Sequence, residues 1–175
     1  IFTGRLERRK NISRLLEAYG AVRRQMGWAG RLILVGKFGL GRKEIEAATE
    51  RSDFKKDIVF LGYQPKADLS ALVQQAHALV YPSLYEGFGL PILEAFALGT
   101  PVVCSRTASL PEVGEPAAIY IDPQSTESLI QGLKQVLTET REKRAEARRQ
   151  QLRKFSWDIC ARGVKKVLVE NAVGN

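Results

Sequence analysis

Residues 85–103, "YEGFGLPILEAFALGTPVV", place Glu86 and Glu94 on either side of seven residues that include two glycines, an aromatic and a proline. Pro91 suits the first turn of a helix, where its missing N–H would lack a partner anyway. Gly87 and Gly89 permit a tight turn and close approach of backbone to a ligand. The stretch therefore reads as a strand-to-helix corner. Its free N–H groups, those of Gly89 and Leu90 among them, point outward at the positive end of a helix and make a site for an anion. Two carboxylates there would repel a phosphate, but each accepts hydrogen bonds from hydroxyls. The corner is read as built for a ligand with phosphate in its middle and polyhydroxyl groups on both sides, the layout of a sugar nucleotide. Glu86 is then expected to face a hexose and Glu94 a ribose. The plainer reading is acids near a helix N-terminus that favour its dipole. It accounts for Glu94 alone better than for the pair with the glycines.

On either side of this corner, short apolar runs alternate with helical patterns. The strand candidates are 1–3, 32–35, 58–61, 78–82, 101–104 and 119–121, mostly β-branched and bounded by Gly, Pro or Ser. The helix candidates begin with 11–25, which carries Ile12, Leu15, Leu16, Tyr19 and Val22 at helical spacing and Asn11 as its cap. Then come 42–51, 67–76, 91–98, 125–138, the basic stretch 141–154 and a last helix over about 158–170. This order predicts an α/β fold: a Rossmann-like, six-stranded parallel sheet with helices on both faces. With strands taken in the order 3-2-1-4-5-6, the order reverses between strands one and four, where ligands of such sheets bind. The segments that follow those strands are "GRLERRKN" and "SLYEGFGLPILE". No repeat or low-complexity linker interrupts the pattern, so residues 1–175 are expected to form one domain.

The length of 175 residues is enough for a hydrophobic core. With 45% hydrophobic and 26% charged residues the composition is that of a soluble globular chain. No apolar run approaches the roughly 18 residues of a membrane helix. The opening "IFTGRLERRK" has neither a leading Met nor a signal-peptide pattern. A piece of a longer, cytoplasmic protein is expected. Cys104 and Cys160 make no disulfide framework and have no metal-ligand spacing. The net charge of +8 concentrates in 141–154, "REKRAEARRQQLRK", with seven bases and two acids. This segment reads as a solvated helix face. It lacks the interleaved aromatics that stack on bases, and no nucleic-acid partner is expected.

In the first loop, Arg5 and Lys10 stand five apart. Arg can clamp a phosphate through two donors and Lys adds a compact charge. Together they could neutralise a departing diphosphate without a metal. Arg8 and Arg9 say less, because a basic loop is ordinarily solvated. "GRLERRKNISRLLEAY", "FLGYQPKADLSALVQQAHALVYPSLYEGFGLPILEAFALGTPVVCS" and "LPEVGEPAAIYIDP" resemble the C-terminal domain of group 1 retaining glycosyltransferases of the GT-B fold, with a mannosyltransferase-like flavour. The acids match that family's E-x7-E motif. The resemblance implies that Glu86 contacts the donor sugar, Glu94 the ribose, and Arg5 with Lys10 the diphosphate. It implies that Gly4, Gly87 and the backbone of Phe88, Gly89 and Leu90 line the donor site, and that Tyr63 and Gln64 touch the base. It further implies a retaining transfer of a hexose, such as mannose, from a GDP- or UDP-hexose, with no cofactor and no metal. The acceptor, a glycan or lipid-linked saccharide, would come through an N-terminal domain preceding Ile1. Peripheral association of the longer enzyme with the cytoplasmic face of a membrane would fit such an acceptor. The last helix would return toward that N-terminal domain.

His77, in "QQAHALVY", is read as structural, and Lys37 as a minor candidate for donor contact. A dinucleotide-dependent oxidoreductase would want G-x-G-x-x-G after strand one, where this chain has "GRLERRKN". A phosphorylase-like enzyme would need a lysine for pyridoxal, which nothing specifies. A non-catalytic nucleotide-sugar-binding module stays open beside the enzyme.

Overall fold

A computed structural model describes residues 1–172. Strands and helices alternate as β1 (Phe2–Thr3), α1 (Ile12–Met26), β2 (Leu32–Val35), α2 (Arg42–Glu50), β3 (Ile58–Gly62), α3 (Lys66–Gln75), β4 (Leu79–Tyr81) and α4 (Leu90–Ala97). The second half continues as β5 (Val102–Ser105), α5 (Leu110–Gly114), β6 (Ile119–Ile121), α6 (Thr126–Thr138), α7 (Ala145–Leu152) and α8 (Trp157–Ala172). A short 3-10 turn, Arg8–Lys10, stands between β1 and α1.

The fold is α/β with parallel strands, but the expected six-stranded sheet is divided. There are two three-stranded sheets, β1-β2-β3 and β4-β5-β6. In the first, Phe2 pairs with Leu34, and Leu32 with Ile58. In the second, Tyr81 pairs with Cys104, and Val103 with Ile119. β1 lies beside β4, yet among the described residues their backbone hydrogen bonds are Val80 N–H on Ile1 C=O at 2.8 Å and the Ile1 α-amino group on Ala78 C=O at 2.9 Å. A two-residue β1 is too short to build a ladder there. Stacking of Phe2 on Tyr81, with ring centroids 6.0 Å apart, continues the junction. One buried core runs across it, from Phe2 and Leu34 through Leu79 to Val103 and Ile119.

Successive strand residues face opposite sides. Val103, Ile119 and Ile121 meet α6, where a Cβ built on Gly132 would contact all three. Tyr120 points the other way and donates its hydroxyl to Pro111 C=O in α5. Helices therefore cover both faces of this sheet. α1 lays Ile12, Leu15, Leu16, Tyr19 and Val22 into the core, as their spacing predicts.

Two expectations fail in instructive ways. Asn11 precedes α1, but its side chain caps nothing there; it sits in the left-handed region at φ 60°. The stretch 141–154 is helical over Ala145–Leu152 and is not simply a solvated face, since Arg148 and Gln151 are buried. Arg141 donates to Gln74 C=O, Gly99 C=O and Thr100 Oγ1, near the ends of α3 and α4. Along α8, Trp157, Val164 and Leu168 are exposed. Among the described residues no helix is long and apolar enough to cross a membrane.

Gly132 tests the seating of α6. An alanine there gains about 1 kcal/mol of helix propensity. Its Cβ, however, would stand 2.5 Å from Ile121 Cγ2 and 3.1 Å from Val103 Cγ1, on stiff β-branched side chains. Overpacking of this kind costs about 1–3 kcal/mol. Gly132→Ala is expected to lower the urea midpoint, with a net loss of about 1 kcal/mol. A raised midpoint would mean that α6 does not rest on β5 and β6 this closely.

Candidate functional site

The loops after β1 and β4 meet at the carboxyl edge of the strands through charged side chains. Lys10 closes the 3-10 turn and is 5% exposed. Its Nζ donates to Tyr81 Oη at 2.7 Å and to Glu86 Oε1 at 2.5 Å. Arg9 Nη1 donates to Glu86 Oε2 at 3.0 Å and to Tyr85 C=O at 3.1 Å. Leu84 N–H donates to Arg9 C=O at 2.9 Å. Asn11 reverses the chain into α1 from its left-handed conformation, which Asn tolerates better than most residues. Its Nδ2 donates to Pro82 C=O at 3.1 Å and Pro123 C=O at 2.8 Å. Residues 9–11 are thus laced to residues 82–86, seventy positions downstream.

Glu86 is 7% exposed. Burial alone would raise its pKa, but the hydrogen bond and charge of Lys10, with Tyr81 beside them, hold it below the usual carboxylate range. Tyr81 is pushed well above the ordinary phenol value, first by burial and then by the Glu86 charge, so its hydroxyl stays neutral. Glu86 is a fixed anion rather than a proton donor near neutral pH.

Beyond Glu86 the chain turns through Gly87 and Phe88 into α4. Gly89 has φ 110°, and a Cβ there would stand 2.8 Å from Leu110 Cδ2, so only glycine seats this corner without strain. Ser109 Oγ donates to Phe88 C=O at 2.8 Å and lies 3.2 Å from Glu86 C=O. Among the described residues, the N–H groups of Phe88, Gly89 and Leu90 take part in no hydrogen bond to another loop or side chain. Pro91 is the second residue of α4, so these N–H groups stay available at the helix start. Phe88 is partly exposed, edge-on to Phe155 at 5.8 Å, and Leu90 is half exposed. Glu94 is the fifth residue of α4, one position deeper than the expected helix over 91–98 would put it. It is exposed, and its charge reaches Tyr81, where it also disfavours the phenolate.

Arg5 is not part of this lacing. Its side chain is 68% exposed, and its one ion contact is Nε to Glu7 at 3.9 Å. It leans toward the loop after β2, where a Cβ on Gly39 would meet Arg5 Nε at 2.8 Å. Gly4 belongs to the same contact: a Cβ on Gly36, at φ 142°, would collide with Gly4 C=O. Tyr63 is 73% exposed, with Lys37 Nζ 5.9 Å from its ring centroid. Gln64 folds back and donates to Leu61 C=O at 2.7 Å. Three groups thus line one edge: the Lys10–Glu86 centre with α4, the free guanidinium of Arg5, and the Tyr63 loop. Among the described residues no group of three or more His, Cys, Asp and Glu could hold a metal.

A cavity of about 470 Å³ opens at the other end of the strands, lined by residues such as Ile1, Val22, Trp28, Leu72 and Val136. His77 is there, edge-on to Trp28 at 5.7 Å, far from the charged loops and in a packing role. Arg31 and the Ile1 terminus border that cavity, but its lining is otherwise largely apolar, so it offers little to a polar ligand.

Sequence reasoning passed over Arg9 and did not single out Tyr81. Tyr81 left one signal, a polar-headed aromatic at the carboxyl end of a buried strand. Arg9 left none, since its role depends on residues 76 and 77 positions away.

The profile described as "Glycosyl transferases group 1" matches residues 1–154. O-antigen chain mannosyltransferase B of Escherichia coli is 39% identical over 162 residues, covering 91% of this chain and 42% of that protein. The serotype-specific mannosyltransferase WbdA of E. coli is 32% identical over 157 residues, 87% of this chain and 19% of its own length. Sucrose-phosphate synthase from Thermosynechococcus elongatus superimposes with a TM-score of 0.81 at 27% identity, over 99% of this chain and 45% of that one. Anabaena HepE in complex with UDP shares the fold, with a TM-score of 0.80 at 22% identity, over 97% of this chain and 48% of that one. The chain spans less than half the length of these proteins.

The Lys10–Glu86 pair carries a stability prediction. Removing one partner of a buried pair strands the other charge, at a cost of about 3–5 kcal/mol. Arg9 still faces Glu86, so Lys10→Met is expected to lose about 3 kcal/mol in urea unfolding. Adding Glu86→Gln to it should recover most of that loss. Glu86 is held below its unfolded pKa, so its stabilisation is present above the unfolded value and fades as pH falls through the folded one. In Lys10→Met the folded value rises toward or past the unfolded one, so the acid-side loss from Glu86 should shrink or reverse. An unchanged midpoint and acid limb would show that the pair contributes nothing.

Proposed function

The chain belongs to the group 1 glycosyl transferases, and on that premise we propose that it is the donor-binding domain, Rossmann-like half of a GT-B enzyme, of a retaining hexosyltransferase. The observation that carries this reading is the convergence of Lys10, Glu86 and the open N-terminus of α4 at one corner. The ammonium of Lys10 has three donors. Two are used, on Tyr81 and Glu86, which leaves one for a ligand oxygen. The diphosphate of a nucleotide sugar would lie between that donor, the N–H groups of Phe88, Gly89 and Leu90, and Arg5 swinging in from its exposed position. Glu86 would hold the hexose, Glu94 the ribose, and the loop of Tyr63 and Gln64, with Gly62, the base. Gly4 and Gly87 leave room for close backbone approach.

In the transfer, the bond from the anomeric carbon to the diphosphate oxygen breaks as the acceptor oxygen bonds to that carbon from the same face. The acceptor proton passes to the departing diphosphate oxygen. Lys10, Arg5 and the α4 N–H groups stabilise the negative charge that builds there, so no metal is called for. Glu86 as a nucleophile for a two-step route is disfavoured, because Lys10 and Arg9 engage both of its oxygens. Its fixed negative charge suits the positive charge that develops on the hexose. The names of the mannosyltransferase relatives favour mannose, with GDP-mannose as the donor and a UDP-hexose as the alternative. The O-antigen relatives favour a lipid-linked or free glycan as acceptor, met on a preceding domain at the cytoplasmic face of a membrane. The exposed apolar residues of α8 would then pack against that domain.

Calorimetry with this chain tests the donor reading. GDP or UDP should bind, and Arg5→Ala should weaken binding about tenfold or more, since a charge-assisted contact contributes about 1.5–3 kcal/mol. Glu94→Ala should bind the normal nucleotide about as weakly as the wild type binds its 2′,3′-dideoxy form. A wild type that binds both forms equally rejects the ribose contact.

The chemical reading is tested in the longer protein. A group that acts mainly in the transition state affects turnover more than affinity. Glu86→Gln should therefore lower single-turnover rates by about 10²-fold or more while donor affinity changes little. Weaker donor binding at a wild-type rate would reduce Glu86 to a ground-state contact. Donor binding with no transfer by the wild type would favour the non-catalytic module.

A further inference from the structure

We propose that Arg9 is a positioning residue of the donor site, which fixes the carboxylate of Glu86, and with it the grip on the donor sugar, without touching the nucleotide. The proposal rests on the reading of Glu86 as the hexose contact. Arg9 was expected to be an ordinary solvated base. Instead it binds three consecutive residues of the second loop. Its C=O accepts from Leu84 N–H at 2.9 Å, and its Nη1 donates to Tyr85 C=O at 3.1 Å and to Glu86 Oε2 at 3.0 Å. On the other side, Nε and Nη2 both meet Glu7 Oε1 at 3.0 Å. Three of the five guanidinium N–H donors are thus hydrogen-bonded within the protein, and Nη2 faces Glu7 as an ion pair. Little is left for a phosphate. Arg5, with its single contact at 3.9 Å, is the guanidinium free to meet one.

The geometry explains why one cation does not suffice. Rotation of a carboxylate about its last bond is broad and weakly restrained. Lys10 holds Oε1 and would let the group pivot about that contact. Arg9 holds Oε2, and its planar fork is itself tied to the backbone at Tyr85 and to Glu7. Two points fix the plane of the carboxylate. A fixed plane is what selective holding of a sugar hydroxyl requires. The charged and titratable groups around this carboxylate are Lys10, Arg9 and Tyr81, with Glu7 behind Arg9 and Glu94 acting on Tyr81.

The test compares Arg9→Gln and Arg9→Lys with the wild-type chain, each first checked by thermal melting. Affinities are measured by calorimetry for GDP against GDP-mannose and for UDP against UDP-glucose. The Glu86 carboxylate is titrated by carbon NMR. Arg9→Gln is expected to weaken the sugar nucleotide by about threefold, within the small change expected of Glu86→Gln itself, while leaving the nucleoside diphosphate unchanged. Glu86 should titrate at higher pH in Arg9→Gln, and Arg9→Lys should restore part of both effects. Equal losses for the diphosphate and its sugar would overturn the proposal, because Arg9 would then be a phosphate contact. Tighter binding of both would overturn it as well, since Arg9 would be competing with the donor. A wild-type chain that binds none of the four ligands counts against the donor-site reading. In that case the titration alone decides whether Arg9 holds Glu86, and an unmoved Glu86 in Arg9→Gln sinks that too.

Discussion

A buried ammonium and a buried carboxylate in contact set the terms for the rest of this molecule. Lys10 and Glu86 come from loops on two different sheets, and each is more than nine-tenths buried. Taking either charge out of water alone costs several kcal/mol, so neither loop can settle without the other. This matters because the two sheets are poorly joined through their backbones. β1 meets β4 through two hydrogen bonds at Ile1, both at the start of the strands. At the carboxyl edge, where a ligand would sit, side chains do the joining: Phe2 on Tyr81, Lys10 on Tyr81 and Glu86, Arg9 on Tyr85 and Glu86, Asn11 on Pro82.

The same constraint orders the polarity of the site. With Glu86 neutralised by two cations, the corner before α4 carries no net repulsion for an anion. The N–H groups of Phe88, Gly89 and Leu90 then act with the helix end rather than against a free carboxylate. Ser109 supports this by binding the Phe88 carbonyl. Much of the desolvation of Lys10 and Glu86 is met on folding, so it need not be met again when a ligand arrives. That is preorganisation in the sense that matters for electrostatic stabilisation.

What the sequence disclosed follows from how local each feature is. The runs 32–35 and 119–121 are strands over those same residues, because a short β-branched or aromatic run between turns has few alternatives. α1 shifts by one residue at each end, since five apolar positions at helical spacing leave little freedom. α5, the five residues Leu110–Gly114, was missed because one turn of helix is too short to show a period. The division into two sheets was invisible, because it depends on hydrogen bonds between β1 and β4 and not on either strand's composition. At the candidate site, the glycine corner and the Glu86 and Lys10 that the structure brings together there could be singled out from residue type and spacing. Arg9 could not, and Asn11 was misassigned as a side-chain cap, because both take their partners from far along the chain.

The net charge of +8 is a poor guide to where an anion would bind. The densest basic run, 141–154, lies outside the loops that hold Lys10 and Glu86. Arg141 saturates carbonyls left open where α3 and α4 end, at Gln74 and Gly99. Arg148 is 3% exposed and donates back to Arg141 C=O. Burial and its arginine neighbours lower its pKa. These guanidiniums serve as long-armed donors to backbone oxygens, a structural use that the count of charges cannot distinguish from a binding patch. The corner before α4, by contrast, places Lys10 and Arg9 against Glu86 and Glu7 in near balance. Any attraction it has for an anion would come from oriented N–H groups, one spare ammonium proton and the single exposed guanidinium of Arg5 rather than from a dense basic run. Such a site should depend less on ionic strength than a bare basic surface, because fixed dipoles and buried charges are screened by salt far less than exposed ones.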